Sequence, residues 1–336
     1  MAQRIQFIDL AKGLCISLVV LFHVNRRFDL NPELFKLLST FRMPLYFLLS
    51  GLFFKEYENF LGFLKRKTNK LLIPFLFFYL ITSFLMPNIL YQFGYTVDKT
   101  ESLGFSGLWA FWSKEQFSNG PIWFLWCLFV LNILFYCVYL LSKLFGKYFL
   151  GALVVISCIT GCMGMVLSVN HLNLPAFIDT AMTSMPFFCI GYILRKHSKL
   201  LYPNSTDKFL LVFVIVCFVI IIQCGGACAY KPNRFGISPF FVYLCGMSGT
   251  LGIIFLAKYL KDLPFFSYWG RYSIMILLTH GLLLQVYVPI AKKIPISDTL
   301  LEIILLIVTM FSYNILIPIM KKYLPYVTAQ KDVIKV

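Results

Sequence analysis

Apolar runs about twenty residues long recur along this chain and limit its fold more than any other feature, because a helix needs about 20 consecutive apolar residues to cross the hydrocarbon layer of a membrane. They fall near residues 6–24, 39–55, 71–91, 121–141, 148–168, 176–194, 208–228, 237–258, 271–290 and 299–319. In lipid every backbone N–H and C=O must be satisfied within the protein, and the runs are too long for barrel strands, which leaves helices. The composition agrees, with 60% of residues hydrophobic and 13% charged. The sequence therefore predicts an all-α, polytopic transmembrane bundle of about ten helices, a single membrane-embedded domain over residues 1–336. Residues 321–336 read as a polar, loosely held cytoplasmic tail. The first run is not a cleavable signal, since Asp9 interrupts its basic start and no small-residue cleavage site follows His23.

The formal charge is +16. A basic balance can mean nucleic acid, but here it reflects orientation, because Lys and Arg gather in loops that stay cytoplasmic. Lys65, Arg66, Lys67, Lys70, Lys143, Lys147, Arg195, Lys196, Lys258, Lys261, Lys321 and Lys322 fall in alternate loops. That bias puts both termini and the Asp9 end of the first helix in the cytoplasm, with His23 toward the outer face. Most of the ten cysteines lie inside apolar runs, where Cys behaves as a small hydrophobe. Cys158/Cys162 and Cys224/Cys228 have helical spacing, but no His or carboxylate sits beside them and no metal site is expected. A disulfide at Cys224 or Cys228 stays open.

Ionisable groups inside a membrane helix are costly and mark functional sites by default. The first run carries Asp9 and Lys12 near its start and His23 near its end. Asp9 and His23 are about four turns and ~21 Å apart on a straight helix, so they share a stripe without forming a hydrogen-bonded pair. His23 can take a proton from a hydroxyl at neutral pH, or it can bridge helices structurally. His280, in Arg271-Tyr-Ser-Ile-Met-Ile-Leu-Leu-Thr-His280, has the same two readings. His171 and His197 fall in loops and read as solvated surface.

Arg42, just before Met43-Pro44, can stabilise an oxyanion or reach to lipid head groups. Pro44 and Ser50-Gly51 predict an irregular second helix with close backbone approach. Lys65-Arg-Lys-Thr-Asn-Lys70 is a positive-inside anchor or a cradle for an anionic ligand. Trp123 opens the fourth run, where a belt tryptophan is the default. Residues 92–120 alternate charge with aromatics, which suits an interfacial helix or a sugar platform. The phosphate-loop, dinucleotide, zinc-protease and Ser-elbow signatures do not occur.

Taken as ordered blocks, these segments resemble the acyltransferase 3 family of integral membrane O-acyltransferases. The blocks are Arg4…Asp9-Leu-Ala-Lys12-Gly13…His23, then Phe41-Arg42-Met43-Pro44-Leu45-Tyr46-Phe47…Ser50-Gly51, then Arg66-Lys67…Lys70…Pro74. Pro121-Ile122-Trp123-Phe124-Leu125, Pro186-Phe187-Phe188…Gly191-Tyr192 and Tyr272-Ser273-Ile274…His280 follow. Where the family often has paired arginines at the third block, this chain has Lys67 and Lys70. Lysine binds phosphate as a point charge without the bidentate fork.

The resemblance implies transfer of an acyl group, usually acetyl, from cytoplasmic acyl-CoA to a hydroxyl of a cell-surface glycan or lipid-linked sugar, in a multi-pass protein of a bacterial inner membrane. It assigns His23, Arg42 and Asp9 to catalysis. Lys12, Arg66, Lys67 and Lys70 go to the donor, and Trp123, His280 and Ser50 to the acceptor. Acetyl-CoA is a substrate, with no permanently bound cofactor and no metal. The implied partners are acyl-CoA, a saccharide and membrane lipid, with no nucleic acid. Two rival classes remain: a transporter or flippase of a polar or glycan substrate, and a structural or lipid-sensing membrane protein.

Overall fold

The computed structural model describes residues 5–28, 31–56, 59–86, 89, 92, 119–197 and 208–335. Residues 93–118, and with them most of the expected interfacial segment, lie outside the described residues.

The chain folds as a helical bundle. Helix α1 spans Gln6–Phe28 and α2 spans Pro32–Leu52. Asn31 caps α2, its side chain accepting from the Leu34 N–H at 2.9 Å, and Pro32 opens the helix where its missing N–H costs nothing. α2 stays one continuous helix through Pro44; the irregular backbone lies in the next unit instead. There α3 (Phe60–Lys67) runs through a π-turn (Thr68–Leu72) into α4 (Ile73–Leu80) and a second π-turn (Ile81–Leu85).

The helices that follow are α5 (Trp123–Lys143), α6 (Phe149–Val169), α7 (Ile178–His197) and α8 (Lys208–Cys224). A two-stranded hairpin, β1 (Cys228–Ala229) with β2 (Arg234–Phe235), leads to α9 (Pro239–Leu260). Then come α10 (Pro264–Arg271), α11 (Ser273–Ala291) and α12 (Asp298–Tyr323). Among the described residues, seven helical stretches are long and apolar enough to cross a membrane: Gln6–Phe28, Gly120–Lys143, Gly146–Val169, Pro175–Lys196, Pro239–Leu260, Ser273–Ala291 and Asp298–Tyr323. α2, the α3–α4 unit and α8 answer the remaining apolar runs. All ten cysteines are free thiols, so Cys224 and Cys228 are not joined.

Two glycine seams bring backbones together. A Cβ on Gly13 would meet the Phe266 carbonyl oxygen at 1.8 Å, and one on Gly270 the Asp9 carbonyl oxygen at 1.8 Å. The short helix α10 therefore lies directly on the start of α1. Between α2 and α7, a Cβ on Gly51 would meet the Phe188 oxygen at 1.9 Å, and one on Gly191 the Leu48 oxygen at 1.9 Å. Small residues are the usual means of close helix approach in a membrane, where dispersion and not hydrophobicity drives packing. The close approach expected at Gly51 is present. α10 is also tied to α12 by Trp269, whose Nε1–H donates to Asn314 Oδ1 at 3.1 Å.

Candidate active site

The site starts from two helices that do not neighbour each other in sequence. His23 lies four residues short of the exposed Arg27 at the end of α1 and is half-buried. His280 lies in α11 and is fully buried. Their rings are 5.1 Å apart between centroids, tilted by 51°.

The local chain explains each ring. His280 Nδ1 sits 2.8 Å from the Ile276 carbonyl oxygen one turn back. A carbonyl can only accept, so Nδ1 carries the proton and Nε2 the lone pair. That Nε2 is buried with no partner. The same turn is braced by Thr279, which donates to the Met275 carbonyl at 2.8 Å and meets the Tyr313 hydroxyl at 2.9 Å. Asn119, fully buried before α5, donates from Nδ2 to the Leu278 carbonyl at 2.8 Å. Its Oδ1 has no partner and would lie 3.1 Å from a Cβ on Gly281, so the glycine after His280 makes room for it.

Arg42 joins through Phe22. Its guanidinium carbon lies 3.1 Å from the Phe22 ring centroid, and Phe35 stacks on Phe22 with centroids 4.3 Å apart. Phe35 and Arg42 are two turns apart on one face of α2, so both can cover one ring. Phe22 also meets His23 edge-on at 5.3 Å. Arg42 is 8% exposed, its Nε has no partner, and no ion pair to it occurs among the described residues. A buried guanidinium without a carboxylate is costly to hold unless something anionic arrives. His23, His280 and Arg42 thus form one cluster holding a bare imidazole nitrogen and an uncompensated cation. It can take a proton from a hydroxyl and steady negative charge on oxygen.

The other expected residues lie elsewhere. Asp9 stands about four turns, or ~21 Å, down α1 from His23, with its carbonyl against Gly270, so it is not part of the cluster. Ser50 is about two turns past Arg42 and accepts from Asn132 Nδ2 at 3.4 Å. Trp123 is 8% exposed and packs on Phe177 at 5.5 Å, two residues beyond the Pro121 that borders Gly281.

At the Asp9 end, cations gather around Phe53 and Phe54, the two residues after α2. Lys12 Nζ lies 4.3 Å from the Phe53 ring and the Arg195 guanidinium 5.7 Å from it. Lys67 Nζ lies 5.9 Å from the Phe54 ring. Lys65 and Arg66 are exposed beside them. Arg195 also donates to the Leu52 carbonyl at 3.1 Å. α3 precedes its apolar run, and there burial, with Arg66 next in importance, pulls the Lys67 ammonium down to about 8. Lys70 is already engaged, bound to the Ala329 carbonyl at 3.0 Å and to Asp332 at 2.8 Å. The segment 324–335 is thus held onto the basic turn and is not loose: the Asn69 amide binds the backbone of Val333 and Ile334, and Lys70 that of Ala329.

Sequence reasoning passed over Asn119, Asn69, Phe22 and Arg195. Asn119-Gly120-Pro121 stands where a polar residue precedes a helix start, a signal that reads equally as an ordinary cap. Arg195 looked like a positive-inside anchor. Asn69 was hidden among stronger charges.

No curated protein and no solved structure matches the chain. With the cluster and its helices in view, the family comparison supplies the identity: the model described as an acyltransferase domain matches residues 5–317, and the chain belongs to the acyltransferase 3 family.

Proposed function

We propose that this membrane acyltransferase moves an acyl group, in the first instance acetyl, from cytoplasmic acyl-CoA to a hydroxyl of a glycan or lipid-linked sugar. The observation that carries the reading is the pairing of His23 with His280 beside a buried Arg42 that has no carboxylate partner among the described residues. The donor's phosphates rest among Lys12, Lys67 and Arg195 near Phe53 and Phe54, with Arg66 and, when it is released, Lys70 at the rim. The pantetheine arm bridges from there to His23.

His23 accepts the proton of the sugar hydroxyl as the oxygen attacks the thioester carbonyl carbon. Arg42 steadies the charge that builds on the carbonyl oxygen. The C–S bond breaks, the ester forms, and the proton passes from His23 to the thiolate that leaves as coenzyme A. His280 offers its bare Nε2 to a hydroxyl of the acceptor and so holds it beside His23. Asn119 Oδ1, which faces Gly281, the residue after His280 on α11, is a second acceptor of the same kind. Two buried acceptors without donors suit a substrate rich in hydroxyls.

The test is mass spectrometry of surface glycans from cells carrying the wild type, a deletion, or His23→Ala, together with transfer from labelled acetyl-CoA by the protein in lipid nanodiscs. Ester should appear with the wild type and be lost in the other two at equal expression. Wild-type transfer by His23→Ala sinks the base assignment. Glycan movement across the membrane with no need of acetyl-CoA would replace the enzyme with a carrier.

A further inference from the structure

The segment after α12 is bound to the π-turn between α3 and α4. Asn69, 1% exposed in that turn, binds it through both the oxygen and the nitrogen of its side-chain amide. Its Oδ1 accepts from the Val333 N–H at 3.0 Å and the Ile334 N–H at 2.9 Å, and its Nδ2 donates to the Ile334 carbonyl at 2.7 Å. Lys70, the next residue, donates to the Ala329 carbonyl at 3.0 Å and pairs with Asp332 at 2.8 Å. A π-turn adds one residue to a helical turn and is a frequent means of re-aiming side chains at functional sites.

We infer that residues 329–334 are a latch that competes with the phosphates of the acyl donor for Lys70. An ammonium has three donors, and the latch occupies two of them. Asp332 also places a negative charge where a phosphate would come, so latch and phosphate exclude one another on this lysine. The hold of the latch on Lys70 is light. The Lys70 and Asp332 side chains are 38% and 42% exposed, and ion pairs of that exposure contribute little. Val333 and Ile334 remain 52% and 36% exposed, so little apolar surface is buried to keep them down. A polyanion that gains Lys70 along with the cations around Phe53 can displace it. The inference rests on the donor reading given above, and it makes that donor open its own site.

Two variants and one direct measurement test it, all with the protein in nanodiscs. Asp332→Asn, and separately a chain ending at Thr328, should lower KM for acetyl-CoA by about threefold to tenfold, the reach of one or two half-exposed contacts, with kcat unchanged. Hydrogen exchange on the wild type should show the Val333 and Ile334 amides protected by Asn69. They should lose that protection when coenzyme A, or inorganic pyrophosphate as an anion without a thioester, is added. Unchanged or raised KM in the variants, or amides still protected at saturating coenzyme A, overturns the latch and leaves the donor reading standing. If no form consumes acetyl-CoA, the donor reading fails, and the pyrophosphate arm alone decides whether the latch opens to anions.

Discussion

The imidazoles of His23 and His280 stand 5.1 Å apart although one sits near the end of the first helix and the other midway along α11. With its Nδ1 proton given to the Ile276 carbonyl, His280 is fixed as an acceptor, which leaves proton transfer to His23. His23→Ala should therefore lower kcat by about 10²- to 10⁴-fold, the range of a lost general base. His280→Ala should act on acceptor KM first, and His280→Gln, which keeps an acceptor oxygen, should recover part of the loss. Initial rates with labelled acetyl-CoA at varied acceptor concentration separate the two. Equal losses in both single variants and in the double would mean that the rings work as one unit and the division of roles is wrong.

Arg42 offers a sharper test of charge against shape. It lies over Phe22 with its Nε free, so its planar fork can meet a carbonyl oxygen in a dry setting. Arg42→Lys keeps the charge and loses the fork. Its kcat should fall by about 10²- to 10³-fold, the cost of one oxyanion donor, with little change in KM for either substrate. Arg42→Met should fall at least as far while folding as well or better, since it removes a buried charge that has no carboxylate partner among the described residues. A melting temperature lowered in Arg42→Met would show that the guanidinium is there to hold the bundle together.

Much of the bundle could be read in advance, and the reasons for success and failure are physical. Runs such as 121–141 and 299–319 announce helices because lipid permits little else at that length. Pro264–Arg271 carried no such signal: an eight-residue helix is far below span length, yet it anchors the start of α1. His23, His280 and Arg42 were each legible as costly intramembrane groups. Their meeting was not, because covalent spacing says nothing about which helices adjoin. Asp9 was grouped with His23 by their shared helical stripe and by the resemblance of the first block, and about four turns of straight helix keep them apart. Asn69 drew no notice beside Lys67 and Lys70, although its amide is what captures the segment 324–335.

The α1–α10 seam predicts a stability effect without contact to any substrate. Gly270 leaves no room for a methyl group, since the Asp9 carbonyl oxygen would lie 1.8 Å from it and the Gly13 nitrogen 2.5 Å. The clash is with backbone, which cannot swing aside as a side chain can. Gly270→Ala should destabilise the protein by about 1–3 kcal/mol or more, as overpacking does. Gly120→Ala, whose Cβ would meet nothing within 4 Å, is the matched control and should be near neutral. Thermal unfolding in detergent, followed by size-exclusion recovery, reads both; equal melting of the two variants would mean that α10 can lift away from α1.

Lys67 predicts the pH dependence of donor binding. Burial and the neighbouring Arg66 bring its ammonium down to about 8, so it is charged below that pH and neutral above it. Only the charged form attracts phosphate. KM for acetyl-CoA should accordingly be low on the acid side of 8 and climb as the pH rises through it, by about tenfold for one lost charge contact. Lys67→Arg should flatten the climb, because a guanidinium keeps its proton throughout this range. Lys67→Met should hold KM at the high value at every pH. Arg195→Ala, which removes a cation beside Phe53 and leaves Lys67 in place, should raise KM uniformly without moving the inflection. A KM that ignores pH in the wild type, or an inflection that persists in Lys67→Arg, would take Lys67 out of the donor site.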